Sequence, residues 1–318
     1  MRLSSLRAGR VRAAMGALCF AVALAVVPAM AQSDPKGTPI TMKVRDRSVA
    51  FGHAVVVTGR LAGAGAGQTV TLQHRPRGGQ WAPVAEAVTG WGGRFRLVTV
   101  LPSTGHVRVV TGGAGARVAD AAPPPAATSA AHVAVGADVV ARRTRVNVLA
   151  GRRALVKGIV RPGVAGQPIA LQRRAGHGWT TVARGATGAT GAFTLRFRPR
   201  RAISARLRLR AAATPQLAPG RDPVGRLNVF RAAYASWYGP GLFGHSLSCG
   251  GTLTPATLGV ANRSLPCGTR VTLRHGDHIV RVRVVDRGPF VGGREFDLTW
   301  ATKERLHFGG VGRILVTV

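Results

Sequence analysis

The sequence predicts a mostly-β protein, with two tandem β-sandwiches followed by a smaller C-terminal β domain. Three observations carry this. Short runs alternate apolar and polar residues at period two, the signature of half-buried strands. Glycine-rich turns separate those runs. No long amphipathic helix is legible between the N-terminal apolar run and residue 300.

The N-terminus reads as a secretory signal over residues 1–31. Arg2, Arg7, Arg10 and Arg12 form a positive region, and the apolar run Ala13 to Val27 follows. Pro28 breaks the helix, and Ala29-Met30-Ala31 offers small residues for cleavage after Ala31. The run is short for a 30 Å hydrocarbon core. Cys19 lies inside it behind Leu18, where a lipid-anchored signal needs a small residue, so no lipid anchor is expected. A secreted or envelope location follows.

The two sandwiches are read from an internal duplication. Val57-Thr58-Gly59, Gly67-Gln68, Val70-Thr71-Leu72-Gln73, Trp81, Thr89-Gly90 and Gly93-Arg94-Phe95-Arg96-Leu97 form the first copy. Val156-Lys157-Gly158, Gly166-Gln167, Ile169-Ala170-Leu171-Gln172, Trp179, Thr187-Gly188 and Gly191-Ala192-Phe193-Thr194-Leu195 answer in order. The offset is 99 residues before the tryptophan and 98 from it onward. Six or seven short strands in some 80 residues fit an immunoglobulin-like sandwich, predicted at 40–112 and 132–212. Trp81, Phe95 and Leu97, with Trp179, Phe193 and Leu195, are the expected cores. Pro123-Pro124-Pro125 marks a semi-rigid linker over 113–131, and a second linker is expected at 213–233.

Charge narrows the partners. The chain carries 45 basic and 11 acidic residues, a net +34. Only Lys36, Lys43, Lys157 and Lys303 are lysines, so arginine, whose planar fork suits carboxylates and phosphates, supplies the excess. From Tyr234 onward ten basic residues face five acidic ones, which leaves most of the charge to the sandwiches. Such a field attracts polyanions and is screened by salt. The exported address favours anionic surface polymers over nucleic acid. Arg198-Pro199-Arg200-Arg201 reads equally well as a solvated edge that blocks aggregation. Outside the signal only Cys249 and Cys267 remain, and an even count in an exported chain favours a disulfide over two free thiols.

Four blocks mark the last domain, residues 234–318. They are Ala235-Ser236-Trp237-Tyr238-Gly239, Ser264-Leu265-Pro266-Cys267-Gly268-Thr269, Val284-Val285-Asp286-Arg287-Gly288-Pro289-Phe290 and Gly293-Arg294-Glu295-Phe296-Asp297-Leu298-Thr299. In this order and spacing they resemble the rare lipoprotein A-like double-psi β-barrel family. Local patterns agree: strands around a turn at His275-Gly276-Asp277, a short helix over Thr299–Leu306 and a last strand from Arg313. The resemblance implies binding and remodelling of peptidoglycan glycan strands by an envelope protein, with anionic wall polymers held by the arginine-rich sandwiches. Some members are lytic transglycosylases: a carboxylic acid protonates the glycosidic oxygen and the sugar's 6-hydroxyl closes to a 1,6-anhydro product. Others are expansin-like and loosen the wall without cleavage. A third reading is a secreted polyanion binder driven by charge alone.

Carried onto this chain, the resemblance implies Asp286 and Asp297 as the catalytic carboxylates, since a general acid needs a carboxyl whose pKa is raised. Tyr238, Asn262, Thr254 and Arg287 are candidates for substrate contact. The chain departs from the lytic pattern: Gly251, Thr254 and Asn262 stand where cleaving members carry glutamate, aspartate and histidine. Each aspartate also has a bland reading, Asp286 as a turn cap and Asp297 as the N-cap of the following helix. Trp237 reads as core. His245 has no ligand partner at metal spacing, so no metal is expected; nor is a cofactor, and a monomer is expected.

Overall fold

A computed structural model describes residues 40–112 and 126–318. The signal segment and most of the first linker lie outside the described residues. The first repeat contributes Ile40–Val44 (β1), Ser48–Ala50 (β2), Ala54–Leu61 (β3), Thr69–Pro76 (β4), Ala82–Val88 (β5), Arg94–Val100 (β6), Gly105–Thr111 (β7) and Ala131–Gly136 (β8). The second contributes Asp138–Arg145 (β9), Asn147–Leu149 (β10), Ala154–Arg161 (β11), Pro168–Ala175 (β12), Gly178–Ala186 (β13), Ala192–Phe197 (β14), Ile203–Ala211 (β15) and the long Gly220–Tyr238 (β16).

Topology repeats as the sequence does. One sheet runs β1-β3-β6 in the first copy and β14-β11-β9 in the second; the facing sheet runs β2-β8-β7-β4-β5, matched by β10, β16, β15, β12 and β13. Inward residues of both sheets form one apolar cluster that includes Val55, Val57, Leu72, Phe95, Leu97, Val107 and, in the second copy, Val156, Leu171, Phe193, Leu195 and Leu209. Gly59 and Gly158 occupy the same tight spot. A Cβ there would sit 2.3 Å from the Phe95 ring or 2.5 Å from the Phe193 ring, so only glycine lets the phenylalanine lie across the strand.

Two expectations are corrected. Trp81 and Trp179 are not core residues. They lie half-buried on the outer sheet face, Trp81 between the guanidinium groups of Arg75 (4.7 Å) and Arg108 (4.4 Å), Trp179 beneath Arg208 (4.1 Å) and near Arg174 (5.7 Å). The indole face attracts the cations, and the outer position lets both stay hydrated. Second, residues 213–233 are not a linker. From Gly220 onward they form β16, which pairs antiparallel with β15 through Val229 and then enters the C-terminal barrel. The first copy is likewise completed by β8, beyond residue 112, with Ala137 alone between it and β9.

The barrel adds Gly259–Ala261 (β17), Arg270–His275 (β18), His278–Asp286 (β19), Phe296–Thr299 (β20), the helix Trp300–Leu306 (α1) and Gly312–Thr317 (β21). Pairing runs β16-β20-β17-β19-β18-β21, and β21 returns to β16, so six strands close with no free edge. The alternation Val280, Val282, Val284 on β19 and Val271, Leu273 on β18 aims apolar side chains inward. They meet Val260, Phe296, Leu298, Leu306, Phe308, Ile314 and Val316. Trp237 packs against this core as expected. Its ring meets Trp300 edge-on at 5.3 Å, and the Lys303 ammonium lies 4.9 Å from it.

Candidate functional site

Because side chains alternate along a strand, residues in register on neighbouring strands share a face. Asp286 ends β19 opposite Ala261 of β17, Ala261 faces Asp297 of β20, and Asp297 faces Ser236 of β16. A bulge at Val285 breaks the alternation of β19 after inward Val284, so Asp286 comes into register with Ala261, and the row Asp286, Ala261, Asp297, Ser236 crosses four adjacent strands on the face turned from the apolar core. Two strand spacings put the aspartate backbones roughly 10 Å apart. Ala261 between them is small and 3% exposed.

Asp297 is not the N-cap of α1. That place belongs to Thr299, whose side chain makes no cap bond. The Asp297 carboxyl is partly buried, and its Oδ1 is enclosed without a well-formed hydrogen bond, as are the hydroxyls of Ser236 and Tyr238. Burial raises the Asp297 pKa above the ordinary carboxylate range. The neighbouring Ser236 hydroxyl and the Arg294 cation oppose this, while the negative charge of Asp286 adds to it. Tyr238, one residue pair along from Ser236, is pushed well above the usual phenol value, first by burial and then by the charge of Asp286.

Asp286 does have the loop-organising role expected of a turn cap. Its Oδ1 accepts from the backbone N–H of Ser248 (2.9 Å) and of Arg287 (2.8 Å). The first bond ties the 245–252 loop to the end of β19, and Cys249 N–H donating to Val285 O (3.2 Å) adds a second tie. Cys249 and Cys267 form a disulfide, Cα to Cα 5.5 Å, which joins this loop to the segment preceding β18.

The other candidates fall elsewhere. Asn262 is 4% exposed and spends its amide inside: Nδ2 donates to Glu295 O (3.0 Å), and Oδ1 accepts from Ser264 N (3.1 Å) and Leu265 N (2.8 Å). It scaffolds the loop that follows β17, because a buried amide must satisfy its own polar atoms first. Arg287 is committed similarly, donating to Asn262 O (3.1 Å) and Leu265 O (2.8 Å) and touching Cys267 Sγ (3.2 Å). Thr254 is exposed, but its hydroxyl pairs with that of Thr257 (2.9 Å) in a local turn. Gly251 has φ +84°, a left-handed conformation that a glutamate would occupy only under strain.

Sequence reasoning passed over Phe290. It projects from the loop four residues beyond Asp286 and is 83% exposed, with Val291 beside it also exposed. Its place in the Asp-Arg-Gly-Pro-Phe block was the available signal. Four pockets of about 420 to 600 Å³ all lie on the sandwiches, and none of these four reaches Asp286 or Asp297. The aspartate row is itself largely covered, with Ala261 and Ser236 only 3% and 4% exposed.

Comparison with known proteins places this geometry. Residues 231–318 match the family model described as lytic transglycolase. A probable endolytic peptidoglycan transglycosylase RlpA from Synechocystis is 40% identical over 126 residues, 35% of this chain and 39% of the relative. The one from Aquifex aeolicus is 36% identical over 90 residues, 27% and 39%. An endolytic peptidoglycan transglycosylase RlpA from Campylobacter jejuni is 46% identical over 67 residues, 20% and 24%. The chain thus spans about two fifths or less of the length of these relatives. With the closed six-strand ring and the matched segment coinciding, the C-terminal domain of this chain is a rare lipoprotein A-like double-psi β-barrel.

Proposed function

We propose that this is an exported envelope protein whose barrel binds peptidoglycan glycan strands and remodels them, with Asp297 as the general acid. The reading rests on one observation above all: a carboxyl raised by burial, set in register with a second aspartate on the outer face of the barrel. A protonated Asp297 gives its proton to the glycosidic oxygen as the bond to the anomeric carbon breaks. The muramyl 6-hydroxyl closes on that carbon, and its proton returns to Asp297, so the carboxyl ends as it began and no water is consumed. The negative charge of Asp286 favours the cationic character that develops on the sugar. Phe290 offers an apolar face to a sugar ring at the edge of the row. The two β-sandwiches, which we read as immunoglobulin-like, hold the barrel at the wall.

A second reading is binding or loosening without cleavage. Gly251 and Asn262, at positions where cleaving members carry glutamate and histidine, favour it. Purified sacculi incubated with the protein and examined by mass spectrometry separate the two. Release of 1,6-anhydro-muramyl products, lost in Asp297→Asn, supports the enzyme. Retention on sacculi with no such product at high protein loading supports the non-lytic reading.

A further inference from the structure

On the outer face of the second sandwich, arginines face arginines. Arg210 of β15 lies directly opposite Arg221 of β16, and Arg206 directly opposite Arg226. On the barrel, Arg270 of β18 lies opposite Arg283 of β19. Like charges set directly across a strand pair destabilise a sheet, yet three such pairs occur in one neighbourhood. Arg226 and Arg206 of the sandwich act on Arg281 of the barrel, together with Arg270 and Arg283. These charges, after burial, depress its guanidinium pKa. Arg208 is depressed in the same way, by burial and then by Arg221, Arg210 and Arg174.

Between the two sandwich pairs the sheet is recessed. The register slips between Leu207 and Arg208, and Gly225 (φ +100°) takes the bulge on the opposite strand. A pocket of about 570 Å³ opens there, lined by Trp179, Arg206, Arg208, Arg221, Arg226 and Asp222. Asp222 is its one carboxylate, and Asp222 Oδ2 already accepts from Ala141 N–H (3.0 Å). Arg208 is held in place by its bond to Gln172 Oε1 (2.8 Å) and by Trp179 beneath it. The first copy supplies a comparison inside the same chain. Arg108 bonds Gln73 (2.9 Å) over Trp81 in the same way, but His106 and His132 occupy the register positions of Arg206 and Arg226. The stacked arginine is common to both repeats, whereas a facing arginine pair beside it belongs to the second; in the first copy Arg60 faces Arg94 on the opposite sheet, away from the stacked arginine.

We propose that this pocket, with the arginines continuing onto β18 and β19, is a binding site for a flexible, single-chain phosphate-bearing polymer. A phosphate group enters between Arg206, Arg208 and Arg226, and the chain runs on toward Arg281. The guanidinium fork matches phosphate oxygens, and a bound phosphate turns each repulsive pair into a shared contact. Duplex DNA fits less well, since a recessed sheet face presents no helix or ribbon to a groove.

The test is titration of the purified protein with short linear inorganic polyphosphate at several salt concentrations. Arg206→Gln with Arg226→Gln should weaken binding roughly 30-fold at low salt and flatten the salt dependence by about 1.4 in log–log slope, two phosphate contacts' worth. Its melting temperature should equal or exceed that of the parent, because a repulsive pair is gone. Arg45→Gln with Arg47→Gln, the same charge change on the exposed turn between β1 and β2 of the first copy, should leave binding within about twofold of the parent. Equal losses in both double variants would overturn the site in favour of diffuse net charge, and an unweakened Arg206/Arg226 variant would remove it. Tighter binding of duplex DNA of equal phosphate number would assign the surface to nucleic acid instead. No glycan enters this assay, so its result and that of the sacculus experiment are separable.

Discussion

Replacing Asp297 by asparagine should stabilise the protein at neutral pH while removing any glycan cleavage. The Asp297 Oδ1 is enclosed without a hydrogen-bond partner of good geometry, and burial holds its pKa above the unfolded value. A buried polar group left unpaired costs about 1–3 kcal/mol, and more when it is charged; the amide keeps the polar atom and removes only the charge. Partial exposure screens the charge and trims the expected gain to about 1 kcal/mol. For a folding unit the size of the barrel that is about 4–8 °C in melting temperature. The sign with pH is fixed by linkage. A carboxyl with a raised folded pKa holds its proton more tightly when folded, so its contribution is fully present below the unfolded value of about 3.9 and is lost as pH rises through the folded pKa. The advantage of Asp297→Asn should therefore vanish in strong acid, grow through the weakly acidic range and level off near neutrality. Thermal melts of both proteins across that range, read by circular dichroism, measure it. A variant less stable than the parent at neutral pH would mean that the fold favours the charged carboxylate. The general-acid assignment would then lose its basis.

Other outcomes follow from the same geometry. Cys249→Ser with Cys267→Ser opens a 19-residue loop and should cost about 3 kcal/mol; a melt shifted by less than about 3 °C would show that the Ser248 and Cys249 backbone bonds hold the loop unaided. Gly59→Ala and Gly158→Ala should each cost about 1–3 kcal/mol, measured by urea unfolding, because the new methyl meets a phenylalanine ring in both copies. Phe290→Ala should leave the melting temperature unchanged, since the ring is exposed. It should weaken pull-down on sacculi about tenfold, or 1.4 kcal/mol. Unchanged pull-down would remove Phe290 from the binding surface.

Much of the barrel was legible in the sequence because its signals are local. The alternation of Arg270–His275 and His278–Asp286 around Gly276 reads directly as a hairpin, and the helix, last strand and disulfide lie close to where the pattern puts them. The repeat was legible too, down to Gly59 and Gly158. β16 was not. Pro223 and Gly225 within Gly220–Tyr238 are the usual marks of a linker, and only tertiary pairing reveals that they sit at a bulge in a strand. Trp81 and Trp179 misled for a related reason: period two shows that a residue alternates, but not which face is wet. The roles of Asn262 and Arg287 were illegible because they depend on carbonyls brought near by the ring closure, between 22 and 33 residues away. The facing arginines of the second sandwich required the strand register itself.

The continuity of β16 has a mechanical consequence. Nineteen residues of strand span roughly 60 Å, and the same backbone that finishes one sheet begins the next, with Phe230 fully buried at the handover. Such a splice has no swivel. On the function proposed above, a wall polymer held by the preceding modules would meet the aspartate row at one set tilt and reach, and would have to be drawn to it rather than searched for.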